Sequence, residues 1–83
     1  MILLETAKFA HLRKKVRDED EREELKAAIL DVRDRPEIGK KLRGELNDLR
    51  SYAYSVRGQA RRLVYQWEKG SITLYSFGPR QGI

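Results

Sequence analysis

Three strand-like segments in the second half of the chain constrain its fold most. Leu49 to Arg57, Ala60 to Glu68 and Ser71 to Phe77 are rich in aromatic and β-branched residues. Only short turns containing Gly58 and Gly70 separate them. Connections this short join antiparallel neighbours. The sequence therefore predicts a three-stranded antiparallel meander.

The first half of the chain predicts one short strand and two helices. Ile2 to Glu5 is a candidate strand, and Thr6 is a candidate N-cap for the helix that follows. The acidic run from Asp18 to Glu24 is favourable at the start of a second helix, which Pro36 ends. Apolar residues recur at helical spacing in both segments: Phe9, Leu12 and Val16 in the first, and Leu25, Ala28, Ile29 and Val32 in the second. The predicted order is β-α-α-β-β-β, an α+β fold with an N-terminal helical hairpin packed on one face of a small antiparallel sheet.

Length and composition limit what else the chain can contain. Its 83 residues are enough for a single domain spanning 1–83, and it has no cysteine for a disulfide or a thiolate metal site. His11 has no second ligand at helical spacing, so neither a metal nor another cofactor is expected. The apolar opening ends at Glu5, too early for a signal peptide or a membrane span. We expect a cytoplasmic protein without a membrane partner.

The positive charge is concentrated in the second half of the chain, which is predicted to form the sheet. The net charge is +5, but residues 35–83 hold ten Lys/Arg against four Asp/Glu, whereas residues 1–34 hold eight against nine. Within that half, Arg61 and Arg62 lie side by side in one strand and must point to opposite faces. Arg61 shares a face with Leu63, Tyr65 and Trp67, the more apolar set, which we expect to face the helices. Arg62 is then on the other face, where a guanidinium can bind phosphate.

Three motifs in order give this chain a family resemblance. Lys41-Leu42-Arg43-Gly44, then Arg62-Leu63-Val64-Tyr65-Gln66, then Gly78-Pro79-Arg80 together resemble the RelE/ParE superfamily of type II toxins. The resemblance covers essentially the whole chain. It implies a toxin that a cognate antitoxin neutralises and, in the RelE branch, an mRNA endonuclease that acts on the codon in the ribosomal A site. The implied reaction is attack of an RNA 2′-hydroxyl on the adjacent phosphate.

The resemblance also implies which residues act. Arg62 and Arg80 match the family's two functional arginines, which would stabilise the transition state. Many members carry a tyrosine a few residues further on, and this sequence ends at Ile83. Tyr52 and Tyr54, which share a strand face, are therefore candidate catalytic residues, with Lys40 and Lys41 as further candidates for proton transfer. The expected contacts to RNA come from five basic residues: Lys40, Lys41, Arg43, Arg57 and Arg61.

Two other functions fit the same residues. A ParE-type inhibitor of DNA gyrase shares the fold and needs no RNA-cutting residues, and the missing tyrosine favours it. A toxin fold that only binds RNA or an antitoxin is the third possibility.

The aromatic residues of the predicted sheet have two interpretations. Tyr52 and Tyr54 either stack on bases or pack within the sheet. Trp67 and Phe77 are assigned to the core.

Overall fold

The computed structural model describes residues 1–44 and 48–79. Within these ranges the elements follow in the order β1 (Ile2–Glu5), α1 (Ala7–Lys15), α2 (Glu19–Asp34), a 3-10 turn (Pro36–Ile38), β2 (Lys40–Lys41), β3 (Leu49–Val56), β4 (Gln59–Glu68) and β5 (Ser71–Pro79). The predicted α+β class and element order are confirmed, with β2 as an additional short strand. Neither described helix is long and apolar enough to cross a membrane.

Side-chain caps fix where both helices begin. Thr6 Oγ1 accepts a hydrogen bond from the Phe9 amide at 3.1 Å, and Asp18 Oδ1 accepts one from the Asp20 amide at 2.9 Å. Acidic residues fill the first turn of α2, where they complement the helix dipole. Pro36 follows α2 directly and opens the 3-10 turn. The predicted helical boundaries thus have a local physical cause.

The sheet is mixed rather than purely antiparallel. Its strand order is β1-β5-β4-β3-β2, and all neighbours are antiparallel except β1 and β5, which run parallel. The meander of β3, β4 and β5 was predicted because tight turns enforce it; Arg57 and Gly58 have φ values of 48° and 80°, as a two-residue hairpin turn requires. No tight turn links β1 to β5, so the parallel arrangement is accessible to them.

The two faces of the sheet differ in chemistry. The helix face carries Leu63 and Tyr65, which are fully buried and pack with Phe9, Val32 and Ile72 in the core. The open face, on the other side, carries Leu49, Ser51, Ala53, Arg62, Val64 and Gln66 by strand alternation. The predicted division of β4 between Arg61 and Arg62 follows this pattern.

Trp67 does not join the core, contrary to prediction. Its side chain is 39% exposed, because it lies near the end of β4, where its face is covered by Arg50 rather than by a helix. The Arg50 guanidinium lies 5.2 Å from the Trp67 ring centroid, a cation–π contact. Phe77 packs against the core as predicted, with its ring centroid 5.1 Å from that of Phe9.

A buried tyrosine ties the segment after α2 to the sheet. The Tyr65 hydroxyl donates to the Pro36 carbonyl at 2.6 Å and accepts from the Gly39 amide at 2.9 Å. Residue 39 must be small here, since a Cβ atom would lie 2.3 Å from the Tyr65 hydroxyl oxygen. These contacts fix the position from which β2 departs.

Candidate functional site

A cationic cavity of about 420 Å³ lies on the open face of the sheet, beside β2. We call it the basic cavity. Among the residues that the structure describes, four that line it are basic and none is acidic; the lining consists of Lys40, Lys41, Leu42, Arg43, Ser51, Ala53 and Arg62. Positive charge without a carboxylate in the lining favours an anionic ligand.

Arg62 is the central cation of the basic cavity. Its strand neighbours are Ala53 on β3 and Gly78 on β5, so small residues flank the guanidinium. The Arg62 Nε atom is buried, yet it has no hydrogen-bond partner among the described residues. A buried donor without a partner is costly, and a bound anion would remove that cost. The structure thus presents Arg62 as a positioned cation with donor capacity to spare.

The lysines of the basic cavity are positioned by pairing and packing. Lys40 pairs with Ser51 across β2 and β3, and the Leu42 amide extends the ladder by donating to the Leu49 carbonyl at 3.0 Å. Arg50 Nη1 donates to the Gly39 carbonyl at 2.8 Å, just before Lys40. Lys40 and Lys41 thus form the short strand β2, and they line the same cavity as Arg62.

Arg57 and Arg61, the other two predicted RNA contacts, are engaged elsewhere. Arg57 forms ion pairs with Asp18 at 2.6 Å and with Asp20 at 2.9 Å. Arg61 Nη2 lies 2.6 Å from Glu21 Oε1 on the helix face. The acidic first turn of α2 thus holds both arginines, and the hydrogen bond from Arg57 lowers the pKa of Asp18 to about 2. The structure therefore does not bring these two arginines to the open face beside Arg62; their predicted contact with RNA stays a prediction.

Tyr52 and Tyr54 also lie away from Arg62. Both are on the helix face, where the Tyr52 hydroxyl donates to Asp31 Oδ2 at 3.0 Å. Burial, with Glu21 nearby, raises the pKa of Tyr54 to about 12. The shared strand face was predicted, but it packs against the core and is turned away from the basic cavity. We therefore do not place these hydroxyls in the site. The prediction for Arg80 falls outside the described residues.

The sequence reasoning missed a second cavity that adjoins the first. This cavity, of about 380 Å³, also contains Arg62 and Leu42 and continues across the open face to β5. We call it the aromatic cavity because Tyr75 lines it. A β-bulge explains this placement: Val64 pairs with Ser76 and Tyr65 with Leu74, which leaves Tyr75 as an extra residue on β5. The signal in the sequence was the spacing of the apolar residues 72, 74 and 77, which breaks strict alternation.

A third cavity, of about 400 Å³, lies on the helical hairpin. Apolar and basic side chains alternate around it: Arg13, Lys14, Val16, Arg22, Leu25, Lys26, Ile29 and Leu30. We call it the hairpin groove. Since it lies on the helices, it is separate from the open face of the sheet.

The fold and the open face together define a small α+β protein with a cationic sheet surface. The chain belongs to the family of ParE-like toxins of type II bacterial toxin-antitoxin systems, whose family model matches residues 3–83. The resemblance to the RelE/ParE superfamily is thereby confirmed. A search of the curated proteins found no matching sequence.

Solved structures of an Escherichia coli toxin share the fold. The isolated RelE toxin is 27% identical with a TM-score of 0.75, over 99% of this chain and 86% of that one. A RelE variant with two arginines replaced by alanine is 28% identical with a TM-score of 0.75, over 96% of this chain and 83% of that one. In the intact RelBE toxin-antitoxin complex the matched chain is 23% identical with a TM-score of 0.72, over 96% of each chain.

Proposed function

We propose that this toxin cleaves mRNA bound to the ribosome and so stops translation. The observation that carries the proposal is Arg62, held among Lys40, Lys41 and Arg43 in a cavity whose described lining residues include no acid. The similarity to RelE supports the same branch of the family. The partners of the free toxin would then be the ribosome and mRNA.

The proposed reaction needs charge stabilisation and two proton transfers. The RNA 2′-oxygen attacks the adjacent phosphorus, and the bond from phosphorus to the 5′-oxygen breaks. The products are a 2′,3′-cyclic phosphate and a free 5′-hydroxyl. One group takes the proton of the 2′-hydroxyl, and another supplies a proton to the leaving oxygen. Negative charge increases on the phosphate oxygens in the transition state, so fixed donors aimed at them accelerate the reaction.

Arg62 suits the electrostatic role. Its charge does not titrate, and its planar fork can donate two hydrogen bonds to phosphate oxygens. Among the described residues of the basic cavity, Lys40 and Lys41 are the candidates for proton transfer that remain after Tyr52 and Tyr54 are excluded from it. Arg80 keeps its proposed role as the second arginine.

Primer extension on an mRNA translated in a purified system tests the proposal. We expect cuts within A-site codons with the wild-type toxin, and a loss of about 10²–10³ in cleavage rate for Arg62→Ala. Arg33→Ala is a matched control, since Arg33 is an exposed arginine at the end of α2, away from the open face. Intact mRNA in the presence of folded wild-type toxin would refute the proposal.

Gyrase inhibition is the second candidate function. The observation that favours it is the open face of β3, where Ser51 and Ala53 beside Arg62 offer no carboxylate, imidazole or lysine for proton transfer. Inhibition through protein contacts would not need such a group. A supercoiling assay with purified DNA gyrase distinguishes the two: inhibition together with intact mRNA would establish this candidate.

A cognate antitoxin is the proposed protein partner, bound through the hairpin groove. The apolar floor formed by Val16, Leu25 and Ile29 is bordered by basic side chains, which suits an acidic amphipathic helix. The probe is the protein encoded beside the toxin gene. We expect Lys26→Glu to weaken binding of the antitoxin at least tenfold, since the new carboxylate would repel the acidic partner. Lys69→Glu is the matched control, because it makes the same charge change outside the hairpin groove, in the turn between β4 and β5. Equal affinity of the two variants would refute this docking surface.

A further inference from the structure

Arg62 lies where two cavities of different character meet. The basic cavity extends from it towards β2 and is lined by lysine and arginine. The aromatic cavity extends from it towards β5. Its other lining residues are Leu42, Leu49, Val64 and Tyr75, together with Lys8, Thr6 and Ser76. A cation next to an apolar, aromatic recess matches the two parts of a nucleotide, a charged phosphate and a flat base.

The phenol ring of Tyr75 is held in the aromatic cavity by backbone geometry and by a hydrogen bond. The bulge adds Tyr75 to the open face next to Ser76, instead of continuing the alternation of the strand. The Tyr75 hydroxyl donates to Gln66 Oε1 at 3.3 Å, and the Tyr75 carbonyl accepts from Thr6 Oγ1 at 3.3 Å. Tyr75 is only partly buried, and it lines this cavity. Bulges commonly re-aim a side chain beside an active site.

The charge of the surroundings selects the kind of ligand. Among the described residues that line the two cavities, none is acidic, whereas Lys8, Lys40, Lys41, Arg43 and Arg62 are basic. An apolar recess whose charged lining residues, among those described, are all basic fits an anionic ligand with an aromatic group. Single-stranded RNA has this chemistry, and its unpaired bases can leave the stack to bind an aromatic side chain.

We propose that the aromatic cavity binds one unpaired base of the RNA, stacked on the ring of Tyr75, while Arg62 holds the neighbouring phosphate. This inference rests on the proposed function, since it assigns a further contact to the same RNA. The stacked base fixes the strand relative to Arg62, so Tyr75 is a positioning residue. Stacking is tolerant of base identity, so the cavity orients the RNA and does not read its sequence.

The test compares two short single-stranded RNA oligonucleotides, one complete and one with abasic sites at every position. Both carry the same phosphates, so the ratio of their affinities, measured by fluorescence anisotropy at fixed salt, reports base contacts alone. We expect the wild-type toxin to prefer the complete oligonucleotide by roughly tenfold or more, as base–aromatic stacking commonly gives. Tyr75→Leu should reduce that ratio to about one, whereas Tyr75→Phe, which keeps the ring, should preserve most of it. Arg62→Ala should weaken both oligonucleotides and leave the ratio largely unchanged.

A second measurement does not depend on how well the variants fold. An oligonucleotide containing 4-thiouridine, cross-linked by light to the wild-type toxin, should form an adduct in the peptide that contains Tyr75. Equal binding of the complete and abasic oligonucleotides, no binding of either, or a cross-link confined to other segments would overturn the inference. A Tyr75→Leu variant that binds RNA as the wild type does but binds the antitoxin more weakly would also overturn the inference, since the cavity would then bind a protein partner.

The outcome is separable from that of the cleavage experiment. Intact mRNA on the ribosome with base-dependent oligonucleotide binding would refute the cleavage proposal alone. Cleavage at A-site codons without base-dependent binding would refute only the role of Tyr75.

Discussion

Removing the Tyr65 hydroxyl tests how the fold holds the basic cavity in place. Tyr65→Phe keeps the ring in the core but removes one oxygen that makes two buried hydrogen bonds, to the Pro36 carbonyl and from the Gly39 amide. Both backbone groups then lose their partner in a buried position. An unsatisfied buried group costs about 1–3 kcal/mol, so we expect the free energy of unfolding to fall by about 2–4 kcal/mol. A domain of this size has a total of about 4–12 kcal/mol, so the loss would be a large fraction.

Urea unfolding of Tyr65→Phe beside Tyr52→Phe provides the comparison. Tyr52 also loses a single hydroxyl on the helix face, but its one hydrogen bond, to Asp31, is only partly buried. We expect about 1 kcal/mol for Tyr52→Phe, because water can solvate the carboxylate left behind. Hydrogen exchange of the Gly39 amide gives a local readout: its protection should fall in Tyr65→Phe and persist in Tyr52→Phe. Equal destabilisation in the two variants, with Gly39 still protected, would refute the reasoning.

Three further predictions concern an ion pair, a glycine and two arginines. Asp18→Asn keeps the N-cap but loses the charge pair with Arg57. The folded pKa of Asp18 is about 2, against an ordinary value of 3.8. The contribution of this carboxylate to stability is therefore present at neutral pH and is lost as the pH falls from about 4 towards 2. The urea midpoint of this variant should therefore lie below that of the wild type at pH 7 and approach it below pH 3, and a gap that does not change with pH would contradict the charge pairing. Gly39→Ala should lower the free energy of unfolding by about 1–3 kcal/mol, since the new methyl group would clash with the Tyr65 ring and hydroxyl. Thermal unfolding measures this, and a variant as stable as the wild type would contradict it. Arg62→Ala should reduce the slope of log K against log [salt] for single-stranded RNA by about 0.7, whereas Arg57→Ala should leave it unchanged, because Arg57 is paired with Asp18 and Asp20.

The elements of this fold were predictable because their causes are local. Capping by Thr6 and Asp18 and the stop at Pro36 are encoded within a few residues of each helix end. The turn at Arg57 and Gly58 likewise forces its two strands to be antiparallel. What local rules could not give was the parallel pairing of β1 with β5, since these strands lie at opposite ends of the described chain.

The sequence predicted the position of some candidate site residues but not the ion pairs that engage others. The face of Arg62 follows from the two-residue period of a strand, and the structure places Lys40, Lys41 and Arg43 beside it. Arg57 and Arg61 were predicted to contact RNA as well, although Arg61 was expected on the helix face. A positive charge is available only if no negative charge is folded against it, and the partners of these two arginines are 37 to 40 residues away along the chain.

The sequence by itself determined the order of elements, the meander, and the face on which Arg62 lies, because periodicity, capping and turn chemistry act over short distances. Only the tertiary structure decided which cations remain on the open face and which tyrosine joins them. The packing of α2 on the sheet turns Tyr52 and Tyr54 inwards and pairs Arg57 and Arg61 with acids, while one extra residue in β5 adds Tyr75 to the open face beside Arg62. These outcomes depend on contacts between distant segments, and such contacts exist only once the chain has folded.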